Sequence, residues 1–238
     1  MKNIPNNIKA ALIDLDGTIF DSMGIWEKID KMWLAKHNLP YSYEYSESLK
    51  SKSFAESADF TIRFFGLKDL THEKIMEEWN NMAKYEYSNT IKPKPMAAKY
   101  LHILKESGIK LAVVTSLSAD LYEPLLKNNG LYNLFDAFLS TVNSGIGKDN
   151  PYIYKSAADT LGIRPQDCIV FEDILHGIRS AKSLNMKTVA VYDYSSENAA
   201  NIIKQESDAY IMSFKEAPLP FSLYYINNEI ANGKTHNR

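Results

Sequence analysis

The sequence predicts an α/β fold in which a mainly parallel sheet is flanked by helices and a helical cap is inserted early in the chain. Short apolar runs are each followed by a polar turn and a stretch with helical periodicity, which is typical of alternating strands and helices. One long interval has helical spacing and no convincing interior strand. The 238 residues, 45% hydrophobic and 24% charged, suffice for a sizeable core and a smaller appended unit.

Six apolar runs are the predicted strands, and they cover residues 10–15, 110–114, 138–140, 169–171, 188–191 and 209–211. Three helices are predicted between them because polar N-cap residues, a first-turn proline or a following glycine mark their ends. These helices are residues 95–107 before Gly108, residues 118–129 before Gly130, and the run that opens at Asn150 and Pro151 and ends before Gly162.

The cap is predicted for the interval of about residues 23–90, after the first strand. The apolar side chains that recur there with helical spacing include Ile25, Ile29, Met32 and Trp33. Pro93 and Pro95 stiffen the chain and end any preceding helix, so residues 92–95 are predicted to be the return linker.

The predicted domains are therefore a core of residues 1–20 and 93–238 and a cap of residues 21–92. A further helix is predicted over residues 221–230 in the C-terminal tail. The sequence shows no internal repeat.

The composition favours a small-molecule partner. The formal net charge of -2 provides no basic field of the kind that attracts nucleic acid or an anionic membrane surface. The first residues lack the apolar region of a signal peptide, and no stretch approaches the roughly 20 apolar residues of a membrane-spanning helix. We therefore expect a soluble, cytoplasmic protein. The only cysteine, Cys168, precedes an apolar run and is predicted to be a buried hydrophobic side chain.

The most informative segment is Asp14-Leu15-Asp16-Gly17-Thr18, where the first strand ends. Active sites of open parallel sheets lie beyond the carboxyl ends of the strands. Asp14 and Asp16 are separated by one residue and can lie on the same side of an extended segment, where they could hold a hard divalent cation. Taken alone, the segment fits an acidic turn equally well.

Three later segments supply further chemistry. Thr115 and Ser116 follow the second strand, and a hydroxyl with nearby backbone N–H groups can bind phosphate oxygens. Lys148 lies beside two glycines and can neutralise a phosphoryl group and an attacking carboxylate. Glu172 and Asp173 follow another strand, where Asp173 can complete a Mg²⁺ site and Glu172 can orient a metal-bound water. Each segment alone also fits a helix cap or a solvated surface.

Together, DLDGT, the VVTS strand end, GK before NP, and FED before a helical glycine resemble the four ordered motifs of the haloacid dehalogenase superfamily of phosphotransferases. The match spans Asp14 to Gly177, and the interval between the first two motifs resembles the helical cap of the phosphoglycolate phosphatase and β-phosphoglucomutase branch. The resemblance implies a Rossmann-like core with a mobile cap over the site. Two residues depart from the pattern, since Asp149 replaces a proline and Ile174 replaces a small hydroxyl residue.

The resemblance implies a role for each core side chain. The groups that would act on the phosphoryl group are Asp14 as nucleophile, Asp16 as general acid and base, Thr115 as phosphate ligand and Lys148 as charge stabiliser. The groups that would hold Mg²⁺ are the Asp14 side chain, the Asp16 backbone carbonyl and Asp173, with Glu172 behind them. The backbone amides that would face the phosphoryl oxygens are those around Leu15, Asp16 and Ser116.

Three functions fit these motifs. The resemblance favours a Mg²⁺-dependent phosphatase that hydrolyses a small phosphate monoester, such as a sugar phosphate or phosphoglycolate, through an aspartyl-phosphate. A β-phosphoglucomutase-like enzyme would instead pass the phosphoryl group to another hydroxyl, but Phe20-Asp21-Ser22 resembles the phosphatase-like entrance to the cap. A non-catalytic phosphate-binding protein is disfavoured because every expected charged catalytic residue type is present.

Substrate identity is expected to depend largely on the cap. Lys50 and Lys52 follow a stretch rich in tyrosine and serine and are the candidate contacts with a polar substrate. The alternative for both lysines is an ordinary solvated helix face.

Overall fold

The computed structural model describes residues 3–49, 52 and 54–220 of the chain. They form two compact units. The first contains the described residues up to Ser22 together with those from Lys92 onward, and the second is Met23–Ile91, within the residues predicted to form the cap. The helix predicted over residues 221–230 lies outside the described residues.

The strands confirm all six predicted apolar runs, with ends that move by at most two residues. The strands are β1 (Asn3–Ile4), β2 (Ala10–Ile13), β3 (Lys110–Thr115), β4 (Ala137–Ser140), β5 (Cys168–Glu172), β6 (Lys187–Val191), β7 (Ala209–Ile211) and β8 (Leu219–Pro220). β1 and β8 pair with each other in parallel and were not predicted, because two residues carry no periodicity.

The main sheet is entirely parallel and has the strand order β4–β3–β2–β5–β6–β7. The chain adds strands first on one side of β2 and then on the other, so the direction of winding reverses at β2. Ligands of such sheets bind beyond the carboxyl ends of the strands at this reversal. Ile13 pairs with Val113 on one side and Phe171 on the other, so the residues that follow them are brought together.

The second unit is helical throughout its described secondary structure. Its helices are α1 (Ile25–Lys36), α2 (Tyr43–Leu49), α3 (Phe54–Phe65) and α4 (His72–Asn89). Aromatic side chains fill its interior, where the rings of Trp33 and Trp79 meet edge to face with centroids 5.9 Å apart. The buried indole N–H of Trp33 donates to Glu78 Oε2 at 2.8 Å, which satisfies a polar atom inside this apolar unit.

The helices of the first unit surround the sheet. They are α5 (Ala97–Glu106), α6 (Ala119–Asn128), α7 (Thr141–Ser144), α8 (Tyr152–Leu161), α9 (Leu175–Ser183) and α10 (Ala200–Glu206). α5, α6 and α8 confirm the three predicted helices, and Gly162 ends α8 in the left-handed region with φ of +68°. The prediction did not include α7, which is a single turn, or the short α10.

The interior of the first unit is apolar. All four residues of β2 are fully buried, and α8 contributes Ile153, Ala157 and Ala158 to the same core. Cys168 is fully buried as predicted, and burial raises the pKa of its thiol to about 12, so the thiol stays protonated. No helix among the described residues is long and apolar enough to cross a membrane.

Candidate active site

The predicted site residues at the carboxyl ends of β2, β3 and β5 lie at one edge of the sheet. Asp14 follows β2 directly, Thr115 is the last residue of β3, and Glu172 is the last residue of β5. The N–H of Asp14 donates to the carbonyl of Phe171 at 3.1 Å, which continues the β2–β5 ladder to the first aspartate. The register of the sheet therefore sets the positions of these side chains.

Both carboxylate oxygens of Asp14 accept hydrogen bonds. Oδ1 accepts from Lys148 Nζ, and Oδ2 accepts from Thr18 Oγ1 at 2.7 Å. The Thr18 hydroxyl also lies 3.2 Å from Asp173 Oδ1, so it bridges two carboxylates. Lys148 Nζ donates a further hydrogen bond to Glu172 Oε2 at 2.9 Å. A single ammonium thus links carboxylates at the ends of two neighbouring strands.

Asp14, Glu172 and Asp173 form a buried acidic cluster in which one carboxylate oxygen of each lies within 4.8 Å of the others. The three carboxylates outweigh the positive charge of Lys148. Within the described residues, Asp173 Oδ2 is buried without a hydrogen-bond partner. A hard divalent cation would satisfy this oxygen and offset the excess negative charge, so the donor set fits such an ion.

The electrostatics of the cluster agree with a need for positive charge. Burial and repulsion from Glu172 raise the pKa of Asp14 from 3.8 to about 6, although Lys148 and Thr18 oppose the shift. Burial, followed by repulsion from Asp14 and Glu172, raises the pKa of Asp173 well above its ordinary range. Burial disfavours the charge of Lys148, but the carboxylates of Asp14 and Glu172 raise its pKa and keep it protonated.

Asp16 is not one of the three residues of this cluster. Its half-buried carboxylate accepts a hydrogen bond from Ser22 Oγ at 2.5 Å. Gly17 follows with φ of +74°, a conformation that other residues rarely adopt, and its N–H donates to the carbonyl of Phe20 at 3.1 Å. The chain therefore turns immediately after Asp16.

The hydroxyl residues at the end of β3 differ in exposure. Thr115 is buried and its Oγ1 accepts a hydrogen bond from Leu117 N at 3.1 Å, whereas Ser116 is exposed. An accepting hydroxyl can still direct its own hydrogen to a phosphate oxygen. Leu15 is fully buried, and a contact of its backbone amide with a phosphoryl oxygen stays a prediction.

Tyr154 is a residue of this site that the sequence analysis missed. Its fully buried hydroxyl donates to Glu172 Oε2 at 2.9 Å, the oxygen that also accepts from Lys148. Gly177 makes room for the pair, because a Cβ there would lie 2.7 Å from both the Tyr154 hydroxyl and Glu172 Cγ. The one signal in the sequence was an aromatic residue capable of hydrogen bonding on the buried face of a helix.

Lys50 and Lys52 are the candidate substrate contacts in the predicted cap. Lys50 lies outside the described residues. Lys52 Nζ donates to the carbonyl of Ser48 at 2.5 Å and lies 4.7 Å from the ring centroid of Phe60. A role of either lysine in substrate binding stays a prediction.

Comparison with known proteins identifies the family. The sequence model described as haloacid dehalogenase-like hydrolase matches residues 8–185, which include all the core site residues. The chain belongs to this family. The resemblance seen in the four motifs is thereby confirmed, and phosphatases of the family generally use a divalent metal ion.

Other haloacid dehalogenase-like hydrolases resemble the chain over most of their length. Validoxylamine A 7'-phosphate phosphatase of Streptomyces hygroscopicus subsp. limoneus is 30% identical over 184 residues, which are 73% of this chain and 81% of the relative. Hexitol phosphatase A of Escherichia coli strain K12 is 29% identical over 185 residues, 77% of this chain and 82% of the relative. The crystal structure of β-phosphoglucomutase from Clostridium difficile superimposes with a TM-score of 0.65 at 25% identity, covering 95% of this chain and 98% of the other.

Proposed function

We propose that this haloacid dehalogenase-like hydrolase is a Mg²⁺-dependent phosphatase that hydrolyses a small phosphate monoester, with Asp14 as the covalent nucleophile. The observation that carries the proposal is the position of Asp14. Its carboxylate lies at the end of the central strand, next to the ammonium of Lys148 and within a buried acidic cluster that fits a divalent cation. A sugar or polyol phosphate is the first substrate class to test, because one of the relatives is named a hexitol phosphatase.

The residues that would hold Mg²⁺ are the side chains of Asp14 and Asp173 and the backbone carbonyl of Asp16, with Glu172 beside them. When bound, the ion supplies positive charge that neutralises the phosphoryl oxygens and the neighbouring carboxylates. The unpartnered Oδ2 of Asp173 supports this assignment.

In the first step, a carboxylate oxygen of Asp14 forms a bond to phosphorus while the bond between phosphorus and the ester oxygen breaks. Asp16 transfers its proton to the departing alkoxide, which leaves as an alcohol. Lys148 neutralises charge on the transferring group, and the Thr115 hydroxyl and nearby backbone N–H groups bind its oxygens. An aspartyl-phosphate on Asp14 results.

In the second step, Asp16 is ionised and takes a proton from water as the water oxygen attacks phosphorus. The bond between phosphorus and the Asp14 oxygen breaks, which releases inorganic phosphate and restores the carboxylate. The position of Asp16 supports this role, because it lies two residues beyond the nucleophile at the carboxyl end of β2.

The test is phosphate release from sugar phosphates, hexitol phosphates, phosphoglycolate and nucleoside monophosphates, with Mg²⁺ or with a chelator. We expect Mg²⁺-dependent release that falls at least ~10³-fold in Asp14→Asn. Asp21→Asn is the matched control, since Asp21 is an exposed aspartate in the same segment and has no proposed role. Wild-type activity in a folded Asp14→Asn variant would exclude the proposed mechanism.

A sugar phosphomutase is the second candidate, and the structural likeness to β-phosphoglucomutase favours testing it. Both reactions form the same aspartyl-phosphate and differ in whether water or a sugar hydroxyl accepts the phosphoryl group. Conversion of a hexose 1-phosphate to the 6-phosphate without net phosphate release would identify the mutase. We also propose, from the sequence, that the cap of residues 21–92 selects the substrate and that the protein is cytoplasmic.

A further inference from the structure

Lys94 makes an unusually complete set of contacts for a lysine outside the predicted motifs. Its ammonium donates to the carbonyl of Gly17 and to the carbonyl of Tyr192 at 2.8 Å, and it forms an ion pair with Asp193 Oδ2 at 2.9 Å. Only 15% of its side chain is exposed. All three N–H donors of the ammonium therefore have acceptors. The contacts join the segment of Gly17 to the segment of Tyr192 and Asp193, which is far away in the chain.

Asp193 is itself held in place. It is 7% exposed, and its Oδ1 accepts hydrogen bonds from the backbone N–H of Ser195 at 2.9 Å and from the Ser195 hydroxyl at 2.7 Å. Burial opposes ionisation, but the hydrogen bonds from Lys94 and Ser195 lower the pKa of the Asp193 carboxyl. The loop after β6 thus presents a fixed charged carboxylate to Lys94.

Lys94 hydrogen-bonds to the turn directly after Asp16. The backbone N–H of Lys94 donates to the carbonyl of Ile19 at 2.7 Å, while its side chain holds the carbonyl of Gly17. The N–H of Gly17 donates to Phe20, which closes the turn. Because Gly17 has a positive φ and no side chain, nothing in its own conformation prevents other backbone geometries. The N–H groups of Ile19 and Phe20 close the turn from within by donating to the Leu15 carbonyl, and Lys94 adds the contacts from outside it.

We propose that Lys94 is a positioning residue that fixes the Gly17 turn and thereby holds Asp16 in place for proton transfer. The role rests on the proposed function of Asp16, but the contacts that support it are independent of that function. Lys94 acts through the backbone of the turn, because its ammonium donates to the Gly17 carbonyl. Misplacement of a catalytic group by even about 1 Å can lower a rate by about 100-fold.

The decisive comparison is Lys94→Met against Lys92→Met. Lys92 lies in the same linker and has an exposed side chain. Its backbone carbonyl accepts a hydrogen bond from the N–H of Asp21, which Lys92→Met leaves in place. We expect Lys94→Met to lower kcat about tenfold or more with a smaller change in KM, because proton transfer is impaired more than phosphate binding. Lys92→Met should retain wild-type values.

A second variant separates positioning from stability. Lys94→Met leaves the Asp193 carboxylate without its ammonium partner, which destabilises the fold by itself. The double variant Lys94→Met, Asp193→Asn removes that charge, so its thermal stability should recover in part while kcat stays low. Recovery of kcat together with stability would overturn the proposal.

Hydrogen–deuterium exchange of the peptide spanning residues 15–20 provides a readout that needs no turnover. We expect faster exchange at the amides of Gly17, Ile19 and Phe20 in the single variant Lys94→Met and in the double variant with Asp193→Asn. Lys92→Met should exchange like the wild type. Unchanged exchange in Lys94→Met would show that the turn does not depend on this lysine and would contradict the proposal. If the wild-type protein released no phosphate, the proposed function would fail, whereas the exchange data would still decide whether Lys94 fixes the turn.

Discussion

The hydroxyl of Tyr154 donates to Glu172 Oε2 at 2.9 Å, and both residues are fully buried. The same oxygen accepts from Lys148, also at 2.9 Å. Tyr154 and Lys148 thus hold the Glu172 carboxylate from two directions, and Lys148 in turn contacts the proposed nucleophile Asp14. The orientation of the acidic cluster consequently depends on a helix residue that does not itself belong to the cluster.

Tyr154→Phe should weaken both metal binding and catalysis. The substitution removes the hydroxyl but retains the ring, so the core of α8 stays packed. Loss of a hydrogen bond to a group beside a metal site typically lowers metal affinity or activity about 10-fold or more. Isothermal titration with Mg²⁺ and steady-state kinetics measure the two effects.

Tyr152→Phe is the control for Tyr154→Phe, because Tyr152 lies on the same helix with 53% of its surface exposed. We expect it to match the wild type in both measurements. Equal Mg²⁺ affinity and kcat in Tyr154→Phe and wild type would mean that Lys148 alone orients Glu172.

The six strands of the main sheet could be predicted from the sequence because each is a short apolar run that ends in a turn. Asp14, Thr115 and Glu172 come at the ends of strands that the sheet brings together, whereas their roles in catalysis stay predictions. The strand order itself was not predicted, because it depends on pairing between distant segments. Local periodicity contains no information about which strands become neighbours.

Tyr154 and Lys94 were missed for a related reason. Tyr154 has the spacing of an ordinary core residue on α8, and its polar partner lies 18 residues further along the chain. Lys94 was assigned to a linker, yet its side chain bonds to a carbonyl 98 residues away. Such partners become visible only once the fold is known, because hydrogen-bond satisfaction is a property of the folded chain.

Met96→Gly should stabilise the protein. Met96 precedes α5 with φ of +69°, and a left-handed conformation costs a residue with a side chain roughly 1–2 kcal/mol. Glycine removes this strain but adds entropy to the unfolded chain, so we expect a net gain of about 0.5–1 kcal/mol in the free energy of unfolding.

Thermal unfolding measures the effect of Met96→Gly, with an expected rise in Tm of about 1–4 °C. Met96→Ala is the control, because alanine keeps the Cβ that makes this conformation unfavourable. An equal gain in Met96→Ala and Met96→Gly would show that the gain comes from removing the methionine atoms beyond Cβ, and not from relief of backbone strain.

Asp173→Asn should make the metal-free protein more stable and abolish its response to Mg²⁺. Burial and repulsion from Asp14 and Glu172 raise the pKa of Asp173, so a neutral side chain at this position is favoured when no cation is present. Bound Mg²⁺ should raise the Tm of the wild type, because a ligand that binds only the folded state stabilises it.

Differential scanning calorimetry in a chelator and in Mg²⁺ tests the Asp173→Asn prediction. Asp149→Asn is the control for removing one negative charge nearby, because Asp149 is exposed. It should keep the Mg²⁺-dependent rise in Tm. A similar rise in Asp173→Asn would show that Asp173 is not a ligand of the ion.

The affinity for Mg²⁺ should increase as the pH rises from 5 to 7. The pKa of Asp14 is raised to about 6 in the metal-free protein, so this carboxyl is mostly protonated at pH 5 and mostly ionised at pH 7. A cation must displace the proton before it can bind. Protonation of one group with this pKa makes the apparent affinity for Mg²⁺ about tenfold weaker at pH 5 than at pH 7. The raised pKa of Asp173 acts in the same direction.

Isothermal titration at pH 5, 6 and 7, repeated in buffers with different ionisation enthalpies, measures both the affinity and the protons released by Mg²⁺ binding. We expect release to be larger at pH 5 than at pH 7, where Asp14 has already lost its proton. Asp21→Asn should reproduce the wild-type profile, since Asp21 is exposed and lies outside the acidic cluster. An affinity that does not change with pH would contradict binding of the ion by Asp14 and Asp173, because both carboxyls must be ionised to coordinate it.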